Sequence, residues 1–180
     1  MVPAMPIQSL TLEALRRELV ERPRRAFAAD HPGIFLVAMG VLTAEEAARD
    51  RAAREDSTLP MTFGDHPRHD LSRRHPLAGA VFYLQLEPAM QVSLGRAARC
   101  EIVVPDESVS ELHCRFSVSP DGVLAVVDLG STNGTSVNQI RIEREQAEPL
   151  SDGDLLTVGR YSFQLLGADT LHETLSELER

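Results

Sequence analysis

From Ala80 onward the chain is a series of short apolar runs separated by turn residues, and this period constrains its fold more than any other feature. The runs are "AVFYLQL", "QVSLG", "CEIVV", "HCRFSVS", "VLAVVDL", "TSVN", "QIRI", "LLTVG" and "YSFQLL"; the breaks between them include "PDES", "SPDG", "GSTNG" and "SDGD". Runs this short, recurring at this spacing, specify an all-β sandwich or barrel rather than a helical bundle. The charged and apolar fractions, 25% and 43% of 180 residues, are those of a chain that packs a core. With aromatics at 4% and no Trp, that core must be largely aliphatic.

Residues before Ala80 follow a different period. In "SLTLEALRRELVER" Leu12, Leu15 and Leu19 recur at helical spacing with charges between them, and Pro23 ends the pattern. A short helix is expected at 23–30, stopped by "HPG". Thr43 and Glu46 form a capping box, in which the hydroxyl satisfies a free helix N–H and the carboxylate reaches back, so a helix is expected from about Ala44 to Arg54. The segment 57–79 has no period and several Pro and Gly, and reads as a linker or strap. Leu171, Leu175 and Leu178 restore a helical pattern at the end. The expected division is a helical extension at 1–56, a linker or strap at 57–79, a β-sandwich at 80–167 and a C-terminal helix at 168–180. Packing of the N-terminal leucine stripe on the same chain is the default expectation.

The formal net charge of −9 opposes nonspecific binding to nucleic acid or anionic lipid, so neither is an expected partner. The longest apolar run, "GIFLVAMGVL", is too short to span a bilayer, and no secretory pattern opens the chain, so a cytoplasmic location is expected. Cys100 and Cys114 are not spaced as a CxxC pair and read as reduced, half-buried residues. The HxxH spacing in "DHPRHD" has prolines nearby and no helix to present it, so no metal or cofactor is expected.

Three polar clusters fall between the predicted strands: Gly95 and Arg96 in "LGRAARC", Ser110 and His113 in "PDESVSELHCRF", and Thr132 and Asn133 in "LGSTNGTSVN". Together they offer a fixed cation, hydroxyls, an amide and glycine-exposed backbone. They contain no nucleophile with its base, no acid/base pair and no metal cluster, which argues against an enzyme. The array suits a tetrahedral dianion: Arg supplies a planar fork of donors and the hydroxyls donate at short range. Asn can donate to and accept from a peptide backbone.

The elements "LGR" (94–96), "VPDESVSELHCRF" (104–116), "VVDLGSTNGTSVN" (126–138) and "LSDGDLLTVG" (150–159), in this order, resemble the forkhead-associated (FHA) domain. The resemblance implies a mainly β fold, an antiparallel FHA-like β-sandwich, here with a helical N-terminal extension and a short C-terminal helix. It also implies a phosphothreonine-peptide-binding adaptor in Ser/Thr kinase signalling, whose partner is a phosphorylated protein such as a kinase or its substrate. Carried over by position, Arg96, Ser110 and Thr132 would bind phosphate, with Thr132 preferred to Ser131. Asn133 would bind the peptide backbone, and Glu111 would sit beside the peptide. Gly95, His113, Gly134 and Thr135 would support the site.

Two departures from the family pattern stand out. Glu111 follows Ser110 where a basic residue or Asn is common, and with Asp106 and Glu107 it makes the loop acidic. At about 8 Å one carboxylate would oppose a phosphate charge by roughly 0.5 kcal/mol in water, or about 2 kcal/mol at an effective dielectric of 20. That loop argues against an acidic residue three positions after the phosphothreonine. "VNQ" also replaces the usual Asn-Gly at 138–139, which puts the local turn in question. The rival reading is a phosphate-independent scaffold or self-association module that uses the same fold and helices.

Overall fold

The computed structural model describes residues 7–41, 77, 79–88 and 90–177. In chain order its elements are β1 (Ile7–Thr11), α1 (Leu12–Glu21), α2 (Arg24–Asp30), β2 (Ile34–Val41), β3 (Ala80–Leu84), β4 (Gln91–Gly95), β5 (Ile102–Val103), β6 (Cys114–Val118) and β7 (Leu124–Asp128). They continue with β8 (Thr135–Val137), β9 (Ile140–Arg141), β10 (Ala147–Pro149), β11 (Leu155–Val158), β12 (Tyr161–Gly167) and α3 (Ala168–Glu177). The strands form two sheets, of order β1-β3-β2-β12-β11-β8-β9 and β10-β7-β6-β4-β5. The architecture is thus the mainly β sandwich that the run lengths predict. Its strand pairs are antiparallel except for β4 with β5, where Leu94 and Gly95 run beside Ile102 and Val103 in parallel.

Alternation along each strand divides the apolar residues between two cores. Leu36, Phe82, Leu84, Phe163 and Leu165 point from the larger sheet into the sandwich, where they meet Val92, Leu94, Phe116 and Val126 of the smaller sheet. Phe35, Val37, Val81, Tyr83 and Leu166 point the other way, against Leu15 and Leu19 of α1, Phe27 of α2, and Leu171 and Leu175 of α3. The leucine stripe of α1 therefore packs on its own chain. Thr11 caps that helix, its hydroxyl accepting from the Ala14 N–H at 3.1 Å. Phe27, Phe35 and Tyr83 hold the second core together as a ring series, with centroids 6.0 and 4.8 Å apart in turn.

The N-terminal segment differs from the helical reading in one respect. The apolar run at 33–42 is a strand, β2, inserted between β3 and β12, and Ile7–Thr11 adds β1 at the edge beyond β3. A strand covered on both faces loses the apolar–polar alternation that marks a half-buried one, so the run carries no readable period. The helix expected at 44–54, the HxxH spacing and nearly all of the strap at 57–79 lie outside the described residues. So does the last turn of the expected C-terminal helix, which is described as Ala168–Glu177. No helix among the described residues is long and apolar enough to cross a membrane.

The turn at 138–139 keeps its hairpin geometry without glycine. Asn138 and Gln139 take φ of 50° and 69°, the left-handed pair that a two-residue hairpin turn requires. Asn138 anchors it from outside, its Nδ2 donating to Asp154 at 2.8 Å and its Oδ1 accepting from the Leu155 N–H at 3.0 Å.

The interleaving of β2 makes the helical layer part of one cooperative structure. Phe35→Ala, at a residue with no exposure, is expected to cost about 3–5 kcal/mol. Urea unfolding of the full chain should show this as a shift of the whole transition; an unchanged sandwich transition beside a separate earlier one would contradict it.

Candidate functional site

Three loops meet at one end of the sandwich because their backbones are bonded to one another. At the end of β4, the Arg96 N–H donates to the Ser110 carbonyl at 2.9 Å and the Ala97 N–H to the Glu111 carbonyl at 3.1 Å. The His113 N–H donates to the Leu94 carbonyl, and the Leu129 N–H to the His113 carbonyl, both at 2.9 Å. Gly95 permits this approach: a Cβ there would lie 2.3 Å from the Glu111 carbonyl oxygen and 2.9 Å from the Cys100 sulfur. Any side chain would push the second loop off the strand end.

His113 joins the second loop to the third. Its ring is fully buried, Nδ1 accepts from the Ser110 N–H at 3.0 Å, and Nε2 lies 3.1 Å from the Gly134 carbonyl. An N–H donor on one side and a carbonyl on the other leave one tautomer, with the proton on Nε2. Burial lowers the pKa of the ring, assisted by the charge of Arg141, while the Gly134 carbonyl and Asp128 act in the opposite sense. The neutral imidazole is therefore the form that fits.

The third loop is built around Asp128, a residue the sequence reading assigned no role. Asp128 is 1% exposed at the end of β7. Its Oδ1 accepts the N–H groups of Gly130 and Ser131 at 3.0 and 2.9 Å; its Oδ2 accepts the hydroxyls of Ser131 and Thr135 at 2.6 and 2.7 Å. Burial by itself would raise its pKa, but these hydrogen bonds outweigh it and hold the carboxyl below its usual range. An Asp with Gly two places on and Ser three places on is an Asx-turn signal, so the role was available in "DLGS". Ser131 spends its hydroxyl here and accepts the Gly134 N–H at 2.9 Å, which leaves Thr132 as the outward-facing hydroxyl. Gly134 takes φ of 84°, and the Arg141 guanidinium stands about 2.5 Å from where its Cβ would be. Thr135, fully buried, braces the loop from within. Arg144 closes it from the far side, donating to the Ser131 carbonyl at 3.1 Å.

The groups left at the surface are those the sequence singled out. The Ser110 hydroxyl accepts the Thr132 N–H at 3.0 Å and lies 3.4 Å from the Thr132 hydroxyl, so these two side chains adjoin. Arg96 is exposed, steadied by Nε donating to the Val109 carbonyl at 3.3 Å. Asn133 is exposed too, but its Nδ2 donates to the Ser108 carbonyl at 2.7 Å and so ties the third loop to the second.

The acidic residues of the second loop are largely committed elsewhere. Glu111 pairs with Arg99 at 3.3 Å. Asp106 accepts from the Arg160 guanidinium, from the Tyr161 hydroxyl at 3.2 Å and from the Ser108 N–H at 2.9 Å. Burial opposes its ionisation, but Arg160 and Ser108 bring its pKa down to about 2. Asp106 and Glu111 thus each have a cation of their own, which reduces the repulsion that the bare loop sequence implies.

Residues 92–159 match the family model of the FHA domain. The chain is 38% identical over 89 residues to the oxoglutarate dehydrogenase inhibitor of Corynebacterium diphtheriae, an alignment covering 49% of this chain and 57% of that protein. It is 35% identical over 94 residues to the glycogen accumulation regulator GarA of Mycolicibacterium smegmatis, covering 52% and 55%. An FHA domain-containing protein of Arabidopsis thaliana is 35% identical over 84 residues, covering 46% and 22%. The chain therefore spans less than two thirds of the length of these relatives. Among solved structures, the N-terminal FHA domain of Rad53p from S. cerevisiae, in complex with a phosphothreonine peptide, aligns at 27% identity over 47% of this chain and 73% of that one, with a TM-score of 0.42. The four ordered sequence elements and the matched span lead to one conclusion: this chain carries an FHA domain.

Proposed function

We propose that the loop end of the sandwich binds phosphothreonine peptides, and that the protein is a non-enzymatic adaptor in Ser/Thr kinase signalling. The observation that carries this reading is the convergence of Arg96, Ser110 and Thr132. Three loops bring one exposed guanidinium and two adjoining hydroxyls to the same end of the fold, on a backbone locked by His113 and Asp128. A phosphate dianion placed there would collect charge-assisted hydrogen bonds from all three. Asn133 and Glu111 would flank the peptide, while Gly95, His113, Gly134 and Thr135 would hold the loops in place. The names of two relatives denote an enzyme inhibitor and a metabolic regulator, roles that suit a module acting by binding.

Matched phosphorylated and unphosphorylated threonine peptides, selected from a library and titrated by calorimetry, test the proposal. The phosphorylated form alone should bind measurably. Arg96→Ala should cost about 1.5–3 kcal/mol, roughly ten- to a hundred-fold in affinity, because it removes hydrogen bonds to a charged group. Equal affinity for both peptides, unchanged in the variant, would favour a phosphate-independent scaffold instead.

His113 gives the site a pH signature. Its folded-state pKa lies below the ordinary value of about 6.5, so between the two values the unfolded chain binds more protons. Its contribution to stability is complete above about pH 6.5 and is lost as pH falls through the lowered folded-state value. In urea unfolding between pH 7.5 and 5, His113→Gln should start less stable and decline less than the parent chain. Parallel declines would show that the ring does not sense protonation.

A further inference from the structure

The site contains a second exposed cation that the phosphate reading leaves unused. Arg141, on β9, reaches over the third loop so that Cζ, Nε and Nη2 of its guanidinium pack against Gly134, the residue that follows Asn133. The side chain is exposed, and no carboxylate among the described residues pairs with it. Of the other arginines near these loops, Arg99 pairs with Glu111 and Arg160 with Asp106, while Arg144 and Arg96 each donate to a backbone carbonyl, of Ser131 and Val109 respectively. Arg96 thus stands beside Val109 in the second loop, and Arg141 beside Gly134 in the third.

We infer that Arg141 is a specificity-determining residue that selects peptides carrying an acidic side chain displaced from the phosphothreonine toward the Asn133 side. The inference rests on the reading of Arg96, Ser110 and Thr132 as the phosphate-binding set. A peptide held by its phosphate at those groups and passing Asn133 next meets the exposed Arg141 guanidinium, which lies against the buried Gly134. With Glu111 and Asp106 already paired, the second loop no longer opposes an acidic ligand residue as strongly as its sequence suggests. The chain as a whole is acidic, at −9, so an unpaired cation at this edge is a local exception that distinguishes one peptide charge pattern from another.

The test is a scan in which one Asp is moved position by position along a phosphothreonine peptide, measured by fluorescence anisotropy with the full chain. One position should bind about three- to fivefold tighter than Ala at that position, the range of an exposed ion pair. Arg141→Gln should abolish that preference while the phosphorylated peptide still outcompetes the unphosphorylated one; Arg141→Lys should retain most of it. Arg141→Glu should favour Lys at the same position. Thermal unfolding of each variant shows that the loop is intact, and the lysine variant keeps the comparison valid if the glutamine variant is unstable. A scan that is flat, or that keeps its preference in Arg141→Gln, overturns this inference alone. Loss of phosphate dependence in the parent chain overturns the reading of the site, and this inference with it.

Discussion

One buried carboxylate organises the end of the sandwich. Asp128 accepts four hydrogen bonds from three residues of its own loop, and so converts a glycine-rich segment into a fixed scaffold. A buried charge is tolerated only when its lone pairs are satisfied, and here local N–H and hydroxyl groups satisfy them. The consequence is a division of labour within "STNG". Ser131 and Thr135 turn inward to the carboxylate, while Thr132 and Asn133 are left facing solvent. His113 then transfers this order to the neighbouring loop through the Gly134 carbonyl and the Ser110 N–H. The geometry of the surface hydroxyls thus depends on groups that solvent does not reach.

Charge is arranged on the same plan. The carboxylates of Asp106 and Glu111 each have an arginine, drawn respectively from the turn before β12 and from the loop after β4. Among the described residues, Arg96, Arg141 and Arg144 at the loop end have no carboxylate partner. Counting charges along the second loop therefore misjudges the potential a ligand would meet, because the compensating arginines lie 54 and 12 residues away in sequence.

Much of the architecture was legible from the chain. The sandwich showed in the run lengths after Ala80, α1 in the Leu12–Leu15–Leu19 spacing, and the site candidates in their placement between runs. What escaped was non-local. Strand β2 could not be recognised because both of its faces are covered, one by the opposing sheet and one by helices, so Ile34–Val41 has no polar side to mark it. The hairpin at Asn138–Gln139 keeps its geometry because Asp154 and Leu155, across the sheet, bind the Asn138 amide. Asp128 is a different case: its spacing to Gly130 and Ser131 is a local Asx-turn signal that the sequence itself carries.

The sequence by itself determined the short-strand period after Ala80, the helical spacing of α1 and α3, and which side chains between the runs carry donors suited to an anion, because these depend on side-chain chemistry and near-neighbour spacing. Only the tertiary structure decided which hydroxyl faces outward and which carboxylates are paired with which arginines. Those outcomes follow from contacts between segments distant in sequence, where a carboxylate takes whichever donor the fold brings within hydrogen-bonding distance.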